Sequence, residues 1–166
     1  MSASFQTSTR FETQPEKLLS LLSDPAFHED RWRVLDAVHA TGKTASNSAD
    51  QKVVVITTVQ HPQGVDGVDT TRTETLVYTY RFDFQASEVS WVMTSPHGDQ
   101  FDLHGSMVVR TCDMGCELVY NASIEVSIPV LGNKMEQLVL DVVRHNKRQT
   151  DELIARKLGA AMRVDD

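Results

Sequence analysis

Several features are scarce in this chain of 166 residues, and each scarcity excludes a class of protein. Basic residues are outnumbered, with 16 Lys and Arg against 23 Asp and Glu, which gives a formal net charge of -7. Binding to nucleic acid or to an anionic membrane needs a basic face, so neither partner is expected. No apolar run approaches the roughly 20 residues that cross a bilayer, and we expect no stable membrane insertion. Residues 1–10 lack the basic start and apolar run of a secretory signal, which predicts a cytoplasmic location.

Cysteine is nearly absent, since the chain contains only Cys112 and Cys116. They flank Asp113-Met114-Gly115, a sequence typical of a three-residue hairpin loop with Gly115 in the left-handed conformation. Such a hairpin would bring the two thiols face to face, as a disulfide or as a reduced pair, and a reducing compartment favours the reduced pair. Two thiolates supply half of a zinc shell, and no Cys or His lies within sequence reach to complete it. We therefore predict no metal site and no cofactor.

Catalytic signatures are also missing from the sequence. The histidines form no His-x-His or His-x-x-x-His pair, and the chain contains no Gly-x-Ser-x-Gly elbow and no phosphate-binding glycine loop. The pattern therefore predicts that most histidines are solvated, and no catalytic residue is assigned. The six histidines are His28, His39, His61, His97, His104 and His145.

Alternating strands make up the first three quarters of the chain. A strand at 4–11 precedes two short helices, the first begun by Thr13 and Glu16 at capping-box spacing and the second by Asp24-Pro25. Small residues at Gly105 and Ala122 would leave room on the buried face of the sheet. Six further strands are predicted at 32–41, 51–60, 73–85, 88–95, 100–111 and 116–128.

A long helix, predicted over 134–158, is the only element large enough to cover the apolar strand faces. One side of it carries Met135, Leu138, Val139, Val142, Asn146, Thr150 and Leu153. Asn146 and Thr150 are polar at the centre of this stripe. Either they line a cavity and bind a ligand headgroup, or Thr150 bonds back to the Asn146 carbonyl and Asn146 meets a sheet hydroxyl. The charged residues Lys147 and Asp151 are expected on a solvated helix back.

This order of elements resembles the START-like, or helix-grip, superfamily, and the chain looks most like the DUF2505 family within it. The matching segments are Asp24-Pro25-Ala26-Phe27, Asp30-Arg31-Trp32 and the junction from Ile128 to Glu136. The resemblance implies an α+β fold in which a curled, seven-stranded antiparallel sheet grips the long C-terminal helix. It places one START-like domain at 1–160 and a short tail at 161–166. It also implies a hollow in which many superfamily members hold a lipid, steroid or polyketide, but no activity.

The resulting hypothesis is a binding protein for a small hydrophobic ligand such as a fatty acid, isoprenoid or polyketide. The predicted ligand-binding residues are Tyr80, Trp91, Met93, Leu103, Met107, Tyr120, Val139, Val142, Asn146 and Thr150. One alternative is a cyclase- or hydratase-type enzyme, which requires a buried ionisable group at the floor of the pocket. Another is a protein-interaction module with a filled core. The sequence leaves a monomer and a homodimer equally open.

Overall fold

The computed structural model describes residues 2–96 and 98–165 of the chain. His97, one of the six histidines, lies outside the described residues. The helices are α1 (Pro15–Leu22), α2 (Pro25–Val34) and α3 (Gly132–Leu158). The strands are β1 (Ser2–Phe11), β2 (His39–Asn47), β3 (Gln51–Gln60), β4 (Gln63–Gly64), β5 (Gly67–Val68), β6 (Glu74–Asp83), β7 (Glu88–Thr94), β8 (Phe101–Cys112), β9 (Gly115–Val126) and β10 (Met162–Asp165).

One antiparallel sheet of eight strands dominates the fold, in the order β10-β1-β9-β8-β7-β6-β3-β2. The predicted α+β helix-grip class is confirmed, but the predicted count of seven strands is wrong by one. The extra strand is β10, whose residues the sequence analysis assigned to a tail. It pairs with β1, with Thr9 opposite Val164, and so covers an edge that β1 would otherwise expose. A strand of four residues, such as β10, is too short to be recognised from an alternation of apolar and polar residues. A separate two-stranded hairpin, β4-β5, lies within the connection from β3 to β6.

Helix α2 replaces the beginning of the second predicted strand. Asp24 caps it by accepting a 2.9 Å hydrogen bond from the Ala26 N–H, and Pro25 occupies the first turn. His28 and Trp32 lie four residues apart, so a helix directs both toward the core, where both are buried. The alternation that suggested a strand from residue 32 is therefore wrong. The strand begins at His39 and continues past residue 41 because β2 is an edge strand, where polar side chains can remain exposed.

The expected capping box at α1 is not formed. Gln14 rather than Thr13 precedes the helix, and no side chain caps it. In the first turn of α3, the buried carboxylate of Glu136 accepts a hydrogen bond of 3.3 Å from the backbone N–H of Val126. That bond holds the start of α3 against the end of β9.

The hairpin that carries the cysteines differs from the prediction in length and register. Its turn contains only Asp113-Met114. Gly115, whose φ angle is 151°, already belongs to β9 and pairs with Cys112. Cys116 pairs with Thr111, so the two cysteines point to opposite faces of the hairpin rather than toward each other. Both are free thiols, and burial raises the pKa of Cys116 to about 11.

Helix α3 lies in the curl of the sheet and packs mainly against β9 and β1. Because the neighbouring strands β9 and β1 both pack against it, its buried surface is wider than the predicted stripe. Met135, Thr150 and Leu153 are buried as expected, whereas Val142 remains 37% exposed. The second buried side consists of Leu140, Lys147, Asp151 and Ile154. The expected solvated position of Lys147 and Asp151 is therefore wrong.

Candidate ligand-binding site

A hollow between the sheet and α3 has an inner and an outer part. The inner part, here called the recess, has a volume of about 50 Å³ and is bounded by α2, α3 and strands β6 to β9. The outer part, here called the cleft, has a volume of about 760 Å³ and opens beside the connection from β3 to β6. The recess and the cleft adjoin each other, since five residues line both of them: Trp32, Tyr78, Leu103, Val143 and Asn146.

All ten residues predicted from the sequence line one part of this hollow or the other. The recess contains Tyr80, Trp91, Met107, Tyr120 and Thr150. The cleft contains Met93, Val139 and Val142. Leu103 and Asn146 line both parts. The structure thus brings the predicted residues together around one space, while their role in binding a ligand stays a prediction.

Arg31, which the sequence analysis did not propose, is the central charged group of the recess. Its Nε donates a hydrogen bond of 2.8 Å to Thr150 Oγ1, and its Nη1 donates one of 3.3 Å to the Tyr80 hydroxyl. The guanidinium also lies 4.8 Å from the centre of the Trp32 ring. The position of Arg31 in the recess depends on α2 continuing through Trp32. Because the sequence analysis predicted a strand from residue 32, it did not place Arg31 in the site.

Thr150 combines both interpretations that the sequence left open. Its hydroxyl donates a 2.8 Å hydrogen bond to the Asn146 carbonyl, which is the local back-bond expected for a buried threonine. The same oxygen accepts the bond from Arg31 and so also positions the charge. Asn146 behaves differently from the expectation of a sheet hydroxyl partner. Within residues 2–96 and 98–165, its side-chain amide makes no hydrogen bond to another protein group, and it faces both parts of the hollow.

His28 is buried, with 2% of its surface exposed, and is therefore an exception to the prediction that most histidines are solvated. Its Nε2 lies 2.6 Å from the Leu22 carbonyl oxygen, which can only accept, so Nε2 carries the proton and donates. The ring stacks on Tyr80 with centroids 4.6 Å apart. Burial, reinforced by the nearby Arg31 charge, lowers the pKa of His28 to about 3. The imidazole is therefore neutral at physiological pH.

Three buried polar atoms at the recess have no hydrogen-bond partner in the described part of the protein. They are His28 Nδ1, Trp32 Nε1 and Trp91 Nε1. All three side chains line the recess. Buried indole N–H groups usually find an acceptor, so two unpaired ones beside one small space indicate that the space accommodates polar atoms.

Gly105 makes room for one of these indoles. A Cβ at Gly105 would lie 2.6 Å from Cζ2 of Trp91 and 2.1 Å from the Asn121 carbonyl oxygen. Any larger residue would therefore clash with both the indole ring and the backbone of β9. The small residue that the sequence analysis noted at this position is thus needed for the close approach of Trp91 to β8.

A buried ion pair lies beside the recess where α3 meets β1, and its lysine lines the recess. Lys147 donates a short hydrogen bond to Asp151 Oδ1, and its Nζ lies 3.3 Å from Thr9 Oγ1. The Thr9 hydroxyl donates a 2.7 Å hydrogen bond to the second oxygen of Asp151. Burial lowers the pKa of Lys147, and the Asp151 carboxylate opposes this shift. The positive charge of Lys147 is thus matched locally.

The remaining ionisable groups of the recess are phenols. Burial is the main cause that raises the pKa values of Tyr78 and Tyr120, so both stay neutral. Over residues 2–96 and 98–165, no group of three or more His, Cys, Asp and Glu side chains could hold a metal ion. None of the helices in these ranges is long and apolar enough to cross a membrane.

Comparison with known families gives a match over nearly the whole chain. The profile of a family described as "Protein of unknown function (DUF2505)" matches residues 6–158. The chain belongs to the DUF2505 family. This confirms the resemblance seen in the sequence, although it adds no activity. No protein of curated function matches this DUF2505 protein.

Solved structures share the fold at low sequence identity. The crystal structure of TTHA0849 from Thermus thermophilus is 16% identical, with a TM-score of 0.60 over 94% of this chain and 95% of that one. The Zhui aromatase/cyclase from Streptomyces sp. R1128 is 12% identical, with a TM-score of 0.66 over 95% and 93% of the two chains. Ara h 8.0201 is 10% identical, with a TM-score of 0.61 over 94% and 99%. At these identities the likeness establishes the START-like fold alone.

Proposed function

We propose that this DUF2505 protein binds a small hydrophobic molecule in the hollow between its sheet and α3. The observation that carries the proposal is the connection of a roomy apolar cleft to a small recess lined by unpaired polar atoms. Such a space suits a ligand with an apolar body and a polar end. A filled core, which the interaction-module hypothesis requires, has no comparable space.

The size and lining of the cleft support a ligand of ordinary metabolite dimensions. Its volume of about 760 Å³ falls within the range of roughly 300–1,000 Å³ found for ligand pockets. Its walls are largely hydrophobic, and they include flexible thioethers that adapt to varied shapes. The apolar side chains of the cleft include Leu76, Met93, Phe101, Ile124, Met135, Leu138 and Val139. A lipid, an isoprenoid or a polyketide would satisfy such walls.

Enzymatic activity of the cyclase or hydratase type is the second candidate, and His28 is the observation that favours it. This ring is the buried, hydrogen-bonded ionisable group that the hypothesis requires at the pocket floor. A pKa of about 3 makes it a weak base and leaves its Nδ1 without a proton to donate at neutral pH. Binding without turnover is therefore the better supported function.

Native mass spectrometry of protein purified gently from its source cells tests the proposal. We expect an apolar adduct at about one per chain, which solvent extraction releases for identification. The Val143→Trp variant fills the boundary between recess and cleft and should lose the adduct. The matched control Val92→Trp lies on an exposed strand position and should keep it.

Two outcomes would contradict the binding function. One is an adduct that Val143→Trp retains as well as Val92→Trp does. The other is a wild-type protein that carries nothing and takes up nothing from a solvent extract of its source cells. Recovery of the extracted molecule in altered form after incubation with the protein would favour the enzyme instead.

A further inference from the structure

We infer that the ligand carries a small oxyanion, of carboxylate size, and that this group lies in the recess against Arg31. The inference rests on the proposed function and specifies which end of the ligand enters first. The apolar body then extends outward through the cleft. Three independent features of the recess support this: its charge, its excess of hydrogen-bond donors and its size.

The charge of Arg31 has no carboxylate partner in the described chain. Its two hydrogen-bond acceptors, the hydroxyls of Thr150 and Tyr80, are neutral. Its neighbour on α2 shows the contrast, because the exposed Arg33 forms a 2.6 Å ion pair with Asp30. A half-buried guanidinium without a counter-ion therefore offers an anion a charge-assisted hydrogen-bonding site that no carboxylate of the described chain occupies.

The other charges around the hollow direct an anion toward the recess. Lys147 is balanced by Asp151, so Arg31 supplies the net positive charge there. The acidic residues that line the hollow are Asp36, Glu74 and Asp141, and all three lie along the cleft, where Asp141 is paired with Arg144. An anionic group in the cleft would face these carboxylates, whereas in the recess it would face the guanidinium. The orientation with the anion innermost is therefore preferred.

Hydrogen-bond donors in the recess exceed the acceptors available to them. The indole N–H groups of Trp32 and Trp91 have no acceptor, and the Tyr80 hydroxyl, which accepts from Arg31, keeps its own proton to donate. The Asn146 amide offers both a donor and an acceptor, and His28 Nδ1 is the single unpaired ring acceptor. A carboxylate has only acceptor sites and can take several of these donors at once.

The size of the recess limits the group that it can hold. A volume of about 50 Å³ corresponds to a few water molecules, at roughly 10–15 Å³ of such volume for each. A carboxylate is of that size. Buried aromatic residues line the recess, and the low local dielectric of such surroundings strengthens hydrogen bonds to a charged group.

Isothermal titration calorimetry with a matched series of probes tests this inference. The probes are dodecanoate, dodecanol and methyl dodecanoate, which share one chain and differ at the polar end. We expect dodecanoate to bind at least about tenfold more tightly than either neutral probe, as charge-assisted hydrogen bonds predict. This comparison uses the unaltered protein and does not depend on a variant that folds.

Two arginine variants then locate the effect. Arg31→Met should reduce the preference for dodecanoate to within about twofold, while dodecanol binding changes little. Arg33→Met, which removes an exposed charge from the same helix, should leave the preference unchanged. Arg31→Lys keeps the charge but loses the planar fork, so it should retain part of the preference. Circular dichroism checks that all three variants fold.

The outcomes separate this inference from the function on which it rests. If all three probes bind equally well, or if Arg33→Met abolishes the preference as fully as Arg31→Met, the oxyanion assignment is wrong and hydrophobic binding stands. If none of the three probes binds and the protein from its source cells carries no adduct, both the inference and the proposed function fail.

Discussion

His28 is a titratable residue that the fold keeps neutral. It is enclosed by Phe27 and Tyr80, and its Nε2–H is bonded to the Leu22 carbonyl. Its pKa in the folded protein is about 3, against 6.5 for an exposed histidine. Between these values the unfolded chain binds the proton and the folded protein does not. The titration of His28 therefore does not affect the free energy of unfolding above pH 6.5, and it lowers that free energy progressively as the pH falls toward 3.

We predict that His28→Gln weakens the acid sensitivity of the protein. One pH unit within this window corresponds to about 1.4 kcal/mol, so acidification from pH 7 to pH 5 should cost the wild type about 2 kcal/mol through His28 alone. The variant should lack this part of the loss. Urea unfolding at several pH values measures it. The relevant quantity is the slope against pH, because the substitution also changes the stability at neutral pH.

The control for this experiment is His39→Gln, since His39 is exposed at the start of β2. Its slope should equal that of the wild type. Equal slopes for all three proteins would show that His28 takes up its proton without unfolding and that the site is less enclosed than described.

At the scale of elements, the contact between α3 and β1 depends on a buried polar network. Lys147, Asp151 and Thr9 satisfy one another, and the two charged side chains are 6% and 1% exposed. The desolvation of two charges offsets most of their attraction, so the pair contributes little net stability. Removing one partner is different, because it leaves a charge buried without compensation.

We predict a strong non-additivity at this pair. Asp151→Leu alone should lower the free energy of unfolding by about 3–5 kcal/mol, whereas Lys147→Met combined with Asp151→Leu should recover most of that loss. Chemical denaturation of the two single variants and the double variant measures the coupling. Arg33→Met, which breaks an exposed ion pair, should cost less than about 1 kcal/mol. Additive losses at Lys147 and Asp151 would mean that the two side chains do not form a buried pair.

This network also shows where sequence reasoning was limited. The strict alternation in β6 to β9 predicted the sheet and its buried face, since each strand is flanked by structure on one side only. The stripe on α3 was predicted on one side, because the periodicity does not show that a curled sheet also covers the second side. Lys147 and Asp151 have the ordinary spacing of a surface pair. Their burial depends on the packing of α3 against β1, which lies far away in the sequence.

The recess could be predicted in part for a similar reason. Tyr80, Trp91 and Tyr120 are aromatic residues on strands with an alternating apolar pattern, and their inward direction follows from the period of two. Arg31 lacks such a signal, because its direction depends on whether residues 31–34 are helical or extended. The propensity of Trp32 and Val34 favoured a strand, and the cap at Asp24 with the burial of Trp32 decided for the helix.

At the scale of the whole molecule, the fold places the largely hydrophobic cleft at the open end of the hollow and the more polar recess at its inner end. The sheet curls around α3 but does not close on it along the cleft, while α2 closes the inner end with Arg31 and His28. Both tryptophans of the chain line the recess. A ligand that occupies the hollow should therefore affect both indoles at once, and a ligand on the outer face of the sheet should affect neither.

The most direct test is heteronuclear NMR of nitrogen-labelled protein during titration with dodecanoate, observing the two indole N–H signals. The account predicts that the signals of Trp32 and Trp91 both shift, with saturation at one dodecanoate per chain. Arg31→Met should weaken the titration, and Val143→Trp should abolish the shifts of both indoles. Unchanged indole signals, with shifts confined to amides on the outer face of the sheet, would contradict the central claim that the hollow between the sheet and α3 is the binding site.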